Sequence, residues 1–169
     1  MTGLISERLA LLHGYPKRTA VQIRIAACMH DIGKSKIPES ILDKPGKLSD
    51  SEYDIVKLHT VHGYILMKTM HGALADISRQ VAMYHHERYD GCGYWSMTAN
   101  QQPEFVKIIT LADVFTALLE ERAYKPAWPF DKAVEYIRDN AGSQFDPRIA
   151  ELFLPIARDF DLSGLGMRR

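Results

Sequence analysis

The chain has 169 residues, 46% of them hydrophobic and 25% charged, and its 21 basic and 21 acidic side chains cancel to a formal charge of zero. This is the composition of one globular domain, and a chain of this length buries roughly 68–70% of its unfolded surface without needing staples. Disordered, collagenous and coiled-coil chains are excluded, and the balanced charge argues against a whole-surface grip on duplex nucleic acid.

Helical spacing predicts a first helix over about Leu4 to His13, stopped at Gly14, and a second over about Thr19 to Asp31. The second carries Val21, Ile25, Cys28 and Ile32 as its apolar stripe, with Gly33 as the terminating glycine. A turn over Pro38 to Leu42 and a loop over Lys44 to Lys47 follow. Ser49 and Glu52 form a capping box that opens a helix bearing Ile55, Leu58, His62, Ile65 and Leu66. A further helix spans about Leu74 to His86, through Ile77, Val81, Ala82 and Tyr84; Asp90 to Gly93 is a turn and 96–103 a polar loop. Phe105 to Arg122 is a long helix with Ile108, Ile109, Ala112, Phe115 and Leu119 inward, and Asp131 to Asn140 a shorter one ending near Gly142. Asp146-Pro147 is an N-cap followed by proline at the first helical position, opening a last helix to about Phe160 with a bend at Pro155. No segment sustains a period of two, so the predicted fold is all-α: a single domain over 1–169 with a loose tail at 161–169.

Two cysteines, Cys28 and Cys92, cannot form a disulfide framework and read as free thiols of a reducing compartment. No apolar run reaches the ~18 residues of a membrane span, and the first residues lack the pattern of a signal peptide, so the expected location is cytoplasmic with no membrane partner.

Histidine and carboxylate placement carries the chemistry. His30-Asp31 and His85-His86-Glu87 each end an apolar helix, His59 and His62 share a third, and Asp113 lies inside a fourth among Leu111, Ala112, Val114 and Phe115. A carboxylate in such surroundings is costly without a partner, so Asp113 is expected to face a positive group. Imidazoles and carboxylates are the ligands that Fe, Mn, Zn and Ni accept, and a carboxylate shared by two ions can clamp a phosphoryl group and activate water. Lys34, just past Asp31, is a cation suited to a substrate phosphate, as are Arg122 and Lys125 beyond Asp113; the alternative for all three is solvated surface charge.

In order along the chain, HDIGKSKIPESIL at 30–42, KPGKLSDSEYDIVKLHTVHG at 44–63, HHERYDGCGYW at 85–95, ADVFTALLEERAYK at 112–125 and GSQFDP at 142–147 resemble the HD-GYP family, a branch of the HD-domain metal-dependent phosphohydrolases. The resemblance covers about residues 18–160 and implies a helical HD bundle that hydrolyses cyclic di-GMP to the linear dinucleotide, often onward to GMP. It implies that His30, Asp31, His59, His85, His86 and Asp113 ligate two divalent ions, with Asp31 bridging; Fe or Mn is the expected metal, and Zn, Ni or Mg the alternatives. Lys34 matches the lysine at the scissile phosphate, making Asp31 and Lys34 the catalytic pair. Tyr94, Arg122 and Lys125 match residues that contact the ligand. A diguanylate cyclase domain or another signalling protein is the partner implied.

The departures are specific. The family's upstream ligand helix has no counterpart, since Glu7 and His13 lie too close to His30. Trp95 stands where GYP has proline, and Gly14-Tyr15-Pro16 is a decoy before the HD pair. The expected function is thus a metal-dependent cyclic-dinucleotide phosphodiesterase, with a catalytically weak binding or docking module and a mononucleotide phosphohydrolase as alternatives.

Overall fold

The computed structural model describes residues 1–121 and 126–161. Helices α1 (Thr2–Leu12) and α2 (Lys17–Met29) lead into a 3-10 turn at Ile32–Lys36 and a short α3 (Glu39–Leu42). Then come α4 (Asp50–Leu66), α5 (Ala73–Tyr84), α6 (Glu104–Leu119), α7 (Phe130–Asp139) and α8 (Pro147–Phe153), the last running on as a 3-10 stretch at Leu154–Phe160. Among the described residues there is no strand, only an isolated bridge between Ala141 and Phe145. The all-α expectation holds. The tail at 162–169 lies outside the described residues, as do Arg122 and Lys125.

The predicted caps are present. Ser49 accepts from the Glu52 amide while the Glu52 carboxylate accepts from the Ser49 amide, completing the capping box. Asp146 accepts from the Arg148 amide with Pro147 at the first position of α8. Beyond it, Pro155 lies in the 3-10 stretch rather than bending one long α-helix, because a proline lacks the N–H that α-helical pairing needs.

Helix α6 is the spine. Val106, Ile108, Ile109, Leu111, Ala112 and Phe115 are fully buried along it, and α1, α2, α5, α7 and α8 all pack on it. A helix apolar almost all round must be surrounded in this way. Its one buried lysine, Lys107, pairs with Glu104 at 3.0 Å and Asp146 at 3.3 Å.

The inward faces of two helices differ from expectation. In α2 the stripe Val21, Ile25 and Cys28 is exposed, as is Ile32 beyond it, whereas Ala20, Ile23, Ala26 and Ala27 are fully buried. Small side chains let the α2 backbone approach α1 and α5 closely, and close-packed contact outweighs the bulk of the opposite stripe. In α4 likewise, Ile55, Leu58, Ile65 and Leu66 are exposed and His59, Thr60 and Gly63 are buried.

Gly33 does not terminate α2, which stops at Met29. It is the point where the 3-10 turn meets α4: a Cβ there would lie 1.9 Å from the His59 carbonyl oxygen and 2.4 Å from the Gly63 nitrogen. Only a residue without a side chain permits this approach. It sets the Asp31–Lys34 turn directly against the helix that carries His59.

Candidate metal centre

The centre forms where two helix ends and two helix middles meet. His30 and Asp31 follow α2, His85 and His86 follow α5, His59 faces inward from α4, and Asp113 projects from α6. Ending α2 at His30 and α5 at His85 leaves these side chains free to turn inward without breaking the helical ladder.

Backbone carbonyls orient the rings. The Nδ1 atoms of His30, His59 and His85 lie 2.6 Å from Ala27 O, 2.7 Å from Val56 O and 3.0 Å from Val81 O. A carbonyl only accepts, so each Nδ1 carries the proton and Nε2 is the atom turned to the centre. Thr110 Oγ1 of α6 donates to the His85 carbonyl at 2.9 Å, tying this helix end to the spine.

At the middle is Asp31. Its Oδ2 lies 3.2 Å from His30 Nε2 and 2.5 Å from Lys34 Nζ. Its Oδ1 is buried without a hydrogen bond, 3.4 Å from His59 Nε2 and 3.6 Å from His85 Nε2. Asp113 Oδ1 is 3.2 Å from His30 Nε2. One ligand atom each from Asp31, His59, His85 and His86 lie within 4.8 Å of one another. All the sequence-predicted metal residues therefore converge, although they span positions 30 to 113. His62 is not in the cluster; Glu7 pairs with Arg24 at 3.0 Å and His13 with Glu104 at 3.4 Å, so neither upstream candidate joins it.

Electrostatics follow from this packing. Burial pulls the His30 imidazole down, but hydrogen bonds to Asp113 and Asp31 outweigh it and raise it from 6.5 to about 10. Burial pushes the Asp31 carboxyl up, yet His30, His85 and Lys34 hold it far below the usual carboxylate range. Asp113 is held below its ordinary value by His30 against the opposing effect of burial. Burial lowers His59 to about 4 and His86 to about 2, so both rings stay neutral with lone pairs to offer. An orphaned, buried carboxylate oxygen faced by imidazole nitrogens fits a divalent cation: the donor set is what borderline transition metals accept.

Around the centre, Tyr94 packs on His86 with ring centroids 4.5 Å apart. Trp95 anchors the same loop, its indole Nε1 donating to Thr60 Oγ1 of α4 at 3.1 Å. Glu87, which sequence reasoning noted in the His-His-Glu run but gave no role, organises the loop. It is buried and accepts from the Trp95 amide at 2.6 Å and the Met97 amide at 2.9 Å. Gly93 lies so close that a Cβ there would sit 2.5 Å from the Glu87 Cα. A cavity of about 380 Å³ opens beside His85 and His86, walled by Tyr53, Lys57, Arg88 and Tyr94.

Residues 2–149 match the family described as HD domain. The chain belongs to the HD domain family. This HD domain is 39% identical over 155 residues to the cyclic di-GMP phosphodiesterase response regulator RpfG of Xanthomonas campestris, with 91% of this chain and 40% of that protein covered. To the 3'3'-cGAMP-specific phosphodiesterase 2 of Vibrio cholerae it is 37% identical over 153 residues, covering 90% of this chain and 29% of that protein. It thus spans well under half the length of these relatives. The fold is shared with Bd1817, a HDG"Y"P protein from Bdellovibrio bacteriovorus, at a TM-score of 0.70 and 16% identity over 93% of this chain and 51% of that one. These likenesses agree with the HD-GYP resemblance carried by the motifs. Among the described residues, no helix of the HD domain is long and apolar enough to cross a membrane.

Proposed function

We propose that this chain is a metal-dependent phosphodiesterase module that hydrolyses a cyclic dinucleotide, cyclic di-GMP or a close relative. The observation that carries this is Asp31 Oδ1, buried without a hydrogen bond among the Nε2 atoms of His59 and His85. The relatives named for cyclic di-GMP and 3'3'-cGAMP support the substrate class, and those two molecules share a guanylate.

In this reading Asp31 would be shared by two divalent ions, Fe or Mn, and His30, His59, His85, His86 and Asp113 would hold them with it. When bound, such a pair supplies Lewis acidity and makes water nucleophilic at neutral pH. The chain's own residues do the rest. Lys34, now drawn onto Asp31, turns to a non-bridging phosphoryl oxygen and offsets the charge that grows there during attack. Tyr94 keeps its phenolic proton, since burial raises its pKa above the ordinary value, and serves as a hydrogen-bond donor beside His86. Water attacks phosphorus, the P–O bond to the ribose 3' oxygen breaks, and that oxygen leaves with a proton, giving the linear dinucleotide. Arg122 and Lys125 are assigned to ligand binding from the motif alone.

The exposed apolar stripes Val21–Ile25–Ile32 and Ile55–Leu58–Ile65 favour a second role as a surface that docks another signalling protein. Loading the purified chain with Fe(II) or Mn(II) and assaying cyclic di-GMP, 3'3'-cGAMP and a mononucleotide tests the enzymatic reading. Conversion of a cyclic dinucleotide to its linear form is expected. No turnover at full metal loading overturns catalysis, and turnover of the mononucleotide alone overturns the substrate class.

A further inference from the structure

We propose that the exposed stripes of α2 and α4 form one self-complementary face on which a second copy of this chain docks; this narrows the docking reading above to a single occupant. In α2 the stripe is Val21, Ile25 and Cys28, continued by Ile32, so its steps along the chain are four, three and four residues. In α4 it is Ile55, Leu58, His62 and Ile65, with steps of three, four and three. Alternating threes and fours are the pattern of a seam between packed helices. Neither seam is filled within the chain, and Ile65 is 55% exposed.

The inner faces of both helices are already taken, by Ala20, Ile23, Ala26 and Ala27 in α2 and by His59, Thr60 and Gly63 in α4. Both stripes therefore point away from the core. They adjoin at one end, since a Cβ on Gly63 would lie 3.7 Å from Ile32 Cγ2. Single exposed apolar side chains are ordinary, whereas a continuous apolar surface over two helices marks an interface.

Charge selects the occupant. Helix α2 carries Lys17, Arg18 and Arg24 and no acidic residue. Helix α4 carries Asp50, Glu52 and Asp54 near its start, with Lys57 as its one lysine or arginine. Arg18 is exposed and has no ion-pair partner among the described residues. The Asp54 side chain is 71% exposed, bonded only to Lys57 one turn away. Laid parallel, α2 of one copy and α4 of another mesh their apolar steps while the basic start of one meets the acidic start of the other. A two-fold axis makes every such contact twice, α2 on α4 and α4 on α2. A different partner would need both an acidic and a basic apolar helix; a second copy brings both.

Sedimentation velocity of the full chain over about 1–200 µM tests the proposal, with a monomer–dimer equilibrium of Kd about 10 µM or tighter expected. Ile25→Lys and Leu58→Lys, at exposed positions, should each weaken the dimer about thirtyfold or more, with helix content by circular dichroism unchanged. Arg18→Glu and Asp54→Arg each oppose like charges at two places and should weaken it about tenfold. The double variant Arg18→Glu/Asp54→Arg reverses both partners and should return to within about threefold of wild type. No recovery in the double variant, or a dimer indifferent to Leu58→Lys, overturns the pairing of α2 with α4. A wild type that stays monomeric throughout overturns the second copy as occupant. Binding of the apolar-surface dye ANS then separates the two readings: more dye on wild type than on Leu58→Lys leaves the docking face for a different protein, and equal dye removes the docking reading as well.

Discussion

The Nε2 atoms of His59 and His85 face each other 3.3 Å apart, and the Nδ1 of each ring is already engaged by a carbonyl of its own helix. Two imidazoles so oriented point lone pairs at one another and at the unpaired Asp31 Oδ1. Only a proton or a cation placed among them relieves the repulsion, which is why the packing reads as a cation site and not as a buried polar network.

Asp31→Ala should therefore be the most damaging substitution at the centre. It removes the carboxylate that faces both His30 and the His59–His85 pair, and metal content by atomic spectroscopy should fall to near zero with hydrolysis lost. His62→Ala, outside the cluster, should keep full metal. Equal loss in both variants would show that the wrong histidine of α4 has been assigned.

In the metal-free protein, stability should peak near pH 6.5. His30 is raised from 6.5 to about 10, so what it contributes is complete below pH 6.5 and is lost as pH rises toward 10. His59 and His86 are lowered to about 4 and about 2 and resist protonation in the fold. Their effect has the opposite sign: stability falls as pH drops from 6.5 toward 4 and on toward 2. Urea midpoints of chelator-treated protein across this range check the prediction, and a flat profile contradicts it.

Gly33→Ala should destabilise the protein by about 3 kcal/mol or more, since the added methyl lands on α4 backbone that cannot yield. It should also lower metal affinity, because Asp31 and Lys34 flank the displaced turn. Thermal melting with a metal titration tests both effects, and metal binding at wild-type affinity would mean the turn moves independently of α4.

Lys34→Ala should lower kcat about 10²-fold with metal retained, as for loss of a donor to developing negative charge. Its ammonium lies 2.5 Å from Asp31 Oδ2 and is 43% exposed on the side chain, so a phosphate can draw it away. A change in KM alone would make it a binding residue.

Glu87→Ala leaves the Trp95 and Met97 amides without their acceptor, each such charge-assisted bond contributing about 1.5–3 kcal/mol. The loop carrying Tyr94 should loosen, seen as faster amide exchange at 93–97, while the metal residues stay in place. Protection equal to wild type in that segment would remove Glu87 from this role.

Much of this was legible in the residues themselves. The absence of a period of two excluded strands, and the capping residues Ser49 and Asp146 marked helix starts, because these are local matters of hydrogen bonding along a few residues. The residues of the candidate metal centre were recognisable as a set because their chemical types recur in spaced motifs, whatever the path between them. Which face of a helix turns inward is a different matter. The bulkier stripe of α2 pointed to Val21, Ile25 and Cys28, yet the core took Ala20, Ile23, Ala26 and Ala27, since the gain from close backbone approach exists only once α1 and α5 are in place. Gly33 belongs to the same class: its meaning lies in the His59 carbonyl of a helix elsewhere in the chain. So does Glu87, whose two amide partners come from the loop that folds back on it. Local propensity and residue chemistry are properties of the chain and can be read from it. Close contact between distant backbones is a property of the packed whole, and the tertiary structure alone decided it.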